Sequence, residues 1–214
     1  MKKDDLSAAL RLYAVTDRSW LGNGTLLDAV EAALRGGTTM VQLREKNLAA
    51  GAFLKEAKDL ANLCARFHTP FLINDNVEIA LACHADGVHV GQDDMAAQKA
   101  RDLLGPGKIL GVSAHTVDQA LAAEKAGADY LGVGAVFSTS TKQDADHVPF
   151  QTLREICQAV SIPVVAIGGI SAHNILSLQN SGVAGVAVVS ALFAEKDIFS
   201  AAQNLSRLTK EAFQ

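Results

Sequence analysis

The chain has 214 residues, 49% of them apolar and 20% charged, with a formal net charge of -4. That length and balance suit one globular domain over residues 1–214 with a sizeable core, and the weak negative charge excludes a global field that would gather nucleic acid. The N-terminus carries Lys2, Lys3, Asp4 and Asp5 without an apolar signal core, and no apolar run is long enough to span a bilayer. Cys64, Cys83 and Cys157 are an odd, widely spaced set in helix-like segments, which favours reduced, buried thiols over a disulfide scaffold. A cytoplasmic enzyme, with neither nucleic acid nor membrane as a partner, is the expectation.

In chain order, residues 10–15 predict a first strand, closed by Thr16 and Asp17, with a turn at Gly22–Gly24. Leu26, Leu27, Val30 and Leu34 mark the apolar face of a helix, which Gly36 and Gly37 stop. Residues 39–43 predict the second strand; it runs into Arg44-Glu45-Lys46, with Asn47 placed to cap a helix over about 48–67. The third strand, 70–73, leads to Asn74 and Asp75, and only a short helical segment, 78–83, separates it from the fourth, 87–90. Gly91-Gln92-Asp93-Asp94 follow, then a helix over about 95–104 and a fifth strand, 109–112, ending at Ser113. Thr116 and Gln119 have the spacing of a capping box. The sixth strand, 130–133, opens into the longest irregular stretch, from Gly134 to about Val148, rich in Ser, Thr, Asp and Lys and therefore expected to be a mobile loop over the site. Residues 150–160 read as a helix.

The next stretch, Val164-Val165-Ala166-Ile167-Gly168-Gly169-Ile170, is a buried strand ending in two glycines, with Ser171 as the N-cap of a helix carrying Ile175 and Leu176. A comparable run from Gly185 to Ala191 is the eighth strand, and a last helix starts near Asp197 and carries Leu205 and Leu208. Eight short strands rich in Val, Ile and Leu alternate with helices, which predicts an α/β fold, a (β/α)8 TIM barrel; an open doubly wound sheet is the rival.

Polar residues end nearly every strand, and in a barrel those ends share one rim. Arg44, Lys46 and Lys142 can surround an oxyanion, Arg as a rigid fork and Lys as a point charge. Asp75 and Asp94 are hard oxygen ligands suited to magnesium (Mg2+); carboxylates facing cations need no metal, so spacing alone leaves both readings open. Gly169 and the backbone near Ser190 point to a second, monophosphate site. His89 within a strand reads as a core or rim histidine, His115 lies nearer a strand end where a proton carrier can sit, and Tyr130 and Phe137 either pack a ring or fill space.

These pieces resemble the thiamine-phosphate synthase family over nearly the full length. The matching segments are Leu12-Tyr13-Ala14-Val15-Thr16-Asp17, Val41-Gln42-Leu43-Arg44-Glu45-Lys46, Leu72-Ile73-Asn74-Asp75 and the run from Asp86 to Asp94. Gly111-Val112-Ser113-Ala114-His115, Thr139-Ser140-Thr141-Lys142 and Ala166-Ile167-Gly168-Gly169-Ile170 complete them. The resemblance implies a barrel enzyme that joins a pyrimidine diphosphate to a thiazole phosphate with Mg2+ as cofactor, and it is compatible with a homodimer. It implies that Arg44, Lys46, Asn74, Ser113 and Lys142 contact the diphosphate, Asp75 and Asp94 the metal, and Gln42 the pyrimidine. Thr139, Thr141, Gly169, Val189 and Ser190 fall to the thiazole phosphate. Ser138 and Ala135 stand where many relatives have proline. A thiazole-aromatising relative, a noncatalytic phosphate-binding barrel and a phosphosugar isomerase or epimerase are the other classes such a site serves.

Overall fold

The computed structural model describes residues 3–92, 95–138 and 147–213. Its eight strands are β1 (Leu12–Val15), β2 (Met40–Leu43), β3 (Phe71–Asn74), β4 (Gly87–Val90), β5 (Ile109–Ala114), β6 (Tyr130–Val133), β7 (Val164–Ile167) and β8 (Gly185–Val188). All pair in parallel with their chain neighbours, and β8 pairs back to β1, closing the barrel. Around it lie α1 (Lys3–Ala9), α2 (Leu26–Arg35), α3 (Ala50–Arg66), α4 (Val77–Ala82), α5 (Ala97–Leu104), α6 (Val117–Lys125), α7 (Phe150–Ala159), α8 (Ser190–Phe193) and α9 (Ile198–Ala212). The fold is the expected (β/α)8 barrel. No helix among the described residues is long and apolar enough to cross a membrane.

Strand side chains alternate between faces, so every strand serves two cores. Outward residues such as Leu12, Val41, Ile73, Val88 and Leu131 pack with Val30, Leu60 and Leu153 of the helices. Inward residues form a separate cluster: Tyr13, Val15, Met40, Leu72, Ile109, Tyr130, Val165 and Ala187. Leu6 of α1 and Leu10 join it where the strands begin. Full burial of each such side chain contributes about 1.5–3 kcal/mol. Further along β2, β3 and β5 the inward positions become Gln42, Asn74 and Ser113, and the site begins there.

Several local expectations change. Residues 3–9 form α1, because Leu6 and Leu10 are buried against the inner cluster. Asn47 does not cap α3, which starts at Ala50 with Ala49 as a cap lacking a side-chain bond; residues 44–49 first carry Arg44 and Lys46 past the rim. Ser171 is not the N-cap of an α-helix. The Asn174 carboxamide accepts from Ser171 N at 2.8 Å and donates to Gly169 O at 2.9 Å, and the chain makes only a 3-10 helix, Ile175–Leu178. Ile175 and Leu178 are buried there, while Leu176 faces out. Thr116 caps α6 as expected, but Gln119 reaches back one residue earlier, to His115 N at 2.7 Å. Cys64 and Cys83 are buried and Cys157 half-buried, all three as free thiols.

Candidate active site

At the C-terminal ends of the strands the inward positions enclose a cavity of about 310 Å³. Gln42 of β2, Asn74 of β3 and Ser113 of β5 reach it from within strands, Arg44, Lys46, Asp75, Gly169 and Val189 from the turns that follow, and Ser190 from the start of α8. These nine come from five strand ends. Asp94, Thr139, Thr141 and Lys142, with most of the loop expected over 134–148, lie outside the described residues. His115 also lines the cavity.

The alternation of β2 continues beyond its last ladder bond and sorts Arg44-Glu45-Lys46 by charge. Arg44 and Lys46 face the cavity. Glu45 turns the other way and is gripped by Arg18, Oε1 lying 2.7 Å from the guanidinium and 3.0 Å from Nε. Its side chain is only 4% exposed, and Arg18 also holds Glu56 of α3 at 2.7 Å. The Glu45 hydrogen bonds hold the Arg18 guanidinium above its ordinary pKa, and burial pushes the Glu56 carboxyl up. Arg44 itself is half-buried, its N–H on Thr16 Oγ1 at 3.0 Å and its guanidinium 3.8 Å from Asp17. A cation so loosely paired keeps donors available to an anionic ligand.

Asp75 sits in the left-handed region, at φ 62, a conformation that costs a non-glycine residue about 1 kcal/mol or more. Its N–H is tied to His89 O at 2.8 Å, and Asn74 Nδ2 donates to its carboxylate. Strain held in this way presents an acidic side chain at the rim. Among the described residues no three His, Cys, Asp or Glu side chains are grouped to hold a metal. One hard anionic oxygen beside a neutral amide is a donor set that a hard cation such as Mg2+ could use if most of its ligands came from elsewhere.

Across the rim, Gly168 and Gly169 have φ of 96 and 63. A Cβ on Gly168 would lie 2.5 Å from Ala135 Cβ, and one on Gly169 would overlap Ser138 O. Both positions therefore need glycine for the turn and for the close approach of the chain after β6. Phe137 N donates to Gly168 O at 3.1 Å and fastens the two segments together.

Tyr13, His89 and Tyr130 also line the cavity. The sequence alone gives Tyr13 no role, and leaves His89 as a core or rim histidine and Tyr130 as packing a ring or filling space. They share the inward parity of Gln42 and Ser113, and that parity is the signal that finds them. Burial pushes both phenols well above their ordinary range, so they stay protonated.

The family model for Thiamine monophosphate synthase (TMP-TENI) matches residues 12–192. The chain is 52% identical over 194 residues to the thiamine-phosphate synthase of Ruminiclostridium cellulolyticum, covering 91% of this chain and 92% of that one. It is 46% identical over 200 residues to that of Clostridium tetani, covering 94% and 96%. The structure of a thiamine phosphate pyrophosphorylase from Pyrococcus furiosus superposes with a TM-score of 0.91 at 38% identity, over 98% of this chain and all of that one. Matched across its barrel by that family model and by relatives near half identical to it, the chain belongs to the thiamine-phosphate synthase family.

Proposed function

We propose that this enzyme joins 4-amino-2-methyl-5-hydroxymethylpyrimidine diphosphate to 4-methyl-5-(2-hydroxyethyl)thiazole phosphate, giving thiamine phosphate and pyrophosphate, with residues 1–214 acting as one catalytic domain. One observation carries the reading. A single cavity has Arg44, Lys46, Asn74 and Asp75 on its β2–β3 side and the Gly168–Gly169 turn with Val189 and Ser190 on its β7–β8 side. That is room for two phosphorylated partners, one meeting cations and a carboxylate, the other meeting backbone.

Arg44, Lys46, Asn74 and Ser113 bind the diphosphate, joined by Lys142. Gln42 faces the pyrimidine. Gly169, Val189 and Ser190, with Thr139 and Thr141, receive the thiazole phosphate. Asp75 and Asp94 would hold Mg2+, which when bound neutralises charge on the diphosphate. The bond from the pyrimidine methylene carbon to the diphosphate oxygen breaks first, and its electron pair leaves with pyrophosphate. The 4-amino group feeds electron density to the resulting cation, and the thiazole nitrogen attacks it with its lone pair. No protein nucleophile is needed. Arg44 and Lys46 meet charge as it develops on the leaving group, and holding both partners in line supplies much of the rate. One coupling assay with both substrates and Mg2+ tests this. Thiamine phosphate and pyrophosphate are expected in equal amounts; no thiamine phosphate above a protein-free control refutes it.

A further inference from the structure

Five side chains from five strands form one hydrogen-bonded chain around the cavity floor. Gln42 Nε2 donates to the Tyr13 hydroxyl. The Tyr13 and Tyr130 hydroxyls are 2.9 Å apart, Tyr130 is 2.9 Å from His89 Nδ1, and His89 Nε2 is 3.0 Å from Ser113 Oγ. Space for the chain is built into the neighbouring strands. A Cβ on Gly111 would overlap the Tyr130 ring, and one on Gly132 would lie 2.9 Å from His89 Cε1. Tyr13 and Tyr130 are fully buried and meet edge to face, with ring centroids 6.0 Å apart.

Each phenol brings one proton, and a neutral imidazole brings one proton and one lone pair. With His89 neutral, a donor at one end therefore sets the direction of every bond along the chain, and two directions satisfy all of them. In the first, Gln42 donates to Tyr13, Tyr13 to Tyr130, Tyr130 to His89 Nδ1 and His89 Nε2 to Ser113, whose own proton is left for the cavity. In the second, each bond reverses. Tyr13 then donates to the Gln42 carbonyl, and Ser113 gives its proton to His89 and offers the cavity only lone pairs.

We infer that Tyr13, Tyr130 and His89 are positioning residues that couple the two ends and so decide which pyrimidine is accepted. This rests on the reading of Ser113 as a diphosphate ligand and Gln42 as the pyrimidine's neighbour. A diphosphate oxygen only accepts hydrogen bonds, so it demands the Ser113 proton and holds the chain in the first direction. Gln42 then turns its carbonyl oxygen and its second N–H to the cavity. A 4-aminopyrimidine matches that edge, with an N–H donor beside a ring nitrogen acceptor. A 4-oxopyrimidine carries the opposite pair and requires the Gln42 amide to turn over. Turning it over reverses the chain and withdraws the Ser113 proton from the diphosphate, or leaves two buried acceptors facing each other. The wrong base is thus penalised at the far end of the chain as well as at its own edge.

Calorimetric Kd values for the 4-amino and 4-oxo pyrimidylmethyl diphosphates test this in the intact enzyme and two variants. Tyr130→Phe cuts the chain but keeps the Gln42–Tyr13 contact, so the preference for the 4-amino compound falls by about tenfold, the effect of one hydrogen bond. Ser113→Ala weakens both compounds and lowers the ratio too, because nothing then holds the direction; it decides alone if Tyr130→Phe does not fold. The inference is overturned if the unaltered enzyme shows no preference, or if the ratio stays within about twofold in the folded variants. Failure of the unaltered enzyme to bind the 4-amino diphosphate or to form thiamine phosphate would instead remove the functional reading beneath it.

Discussion

Replacing Gly111 by alanine probes the packing that supports the site. Gly111 is paired with His89 on β4 and Tyr130 on β6, and a Cβ there would enter the Tyr130 ring. That ring is fully buried, and its hydroxyl is held by Tyr13 and His89, so moving it away from the added carbon disturbs both hydrogen bonds. Overpacking of this kind costs about 1–3 kcal/mol, and each of the two hydrogen bonds displaced costs about 1 kcal/mol more. The expected loss is ~3–5 kcal/mol, which lowers the Tm of a chain this size by roughly 10 °C. Thermal melts followed by circular dichroism measure it. Gly107→Ala, at an exposed glycine with nothing within 4 Å of the added carbon, serves as the control and should stay within about 0.5 kcal/mol. A Gly111→Ala protein melting within about 2 °C of the parent would show that Tyr130 has room to move and refute the reasoning.

Arg18→Ala leaves the Glu45 carboxylate buried without its guanidinium. A loss of about 2 kcal/mol in urea unfolding is expected, partly restored by adding Glu45→Gln; a double variant no more stable than Arg18→Ala would contradict it. Arg44→Ala should cut kcat/KM about 100-fold with little change in Tm, and an unchanged kcat/KM would take Arg44 out of the site. Burial, reinforced by the Asp86 carboxylate, pushes the Cys64 thiol up to about 12, against about 8.5 in an unfolded chain. The folded pKa is the higher one, so this contribution to stability is complete below the unfolded value and is lost as pH climbs toward the folded one. Cys64→Ala should therefore show a shallower fall of Tm between about pH 9 and 11 than the parent, and parallel curves would count against it. In the folded parent Cys64 should resist alkylation at pH 8.

Local chemistry made much of the molecule legible. Strands 87–90 and 130–133 end where the apolar pattern says they do, and Thr116 caps α6 as its spacing requires. Ser113 was read as the end of its strand, yet β5 runs on to Ala114, since ladder bonds are made by the backbone whatever the side chain. Ser171 has the composition of an N-cap and its Oγ accepts from His173 N at 3.3 Å, but the segment that follows makes only a 3-10 helix.

Period, residue type and turn chemistry are properties of neighbours in the chain, so the sequence by itself determined the alternation of strand and helix, and with it which polar groups stand at the strand ends. Closure of the sheet decided the rest. It brought Tyr13 and Tyr130, 117 positions apart, to 2.9 Å, and sent Glu45 outward to Arg18 while Arg44 and Lys46 turned in. Only a closed ring of parallel strands sets residues of equal parity face to face, and no pattern along one strand records which partner waits across the barrel.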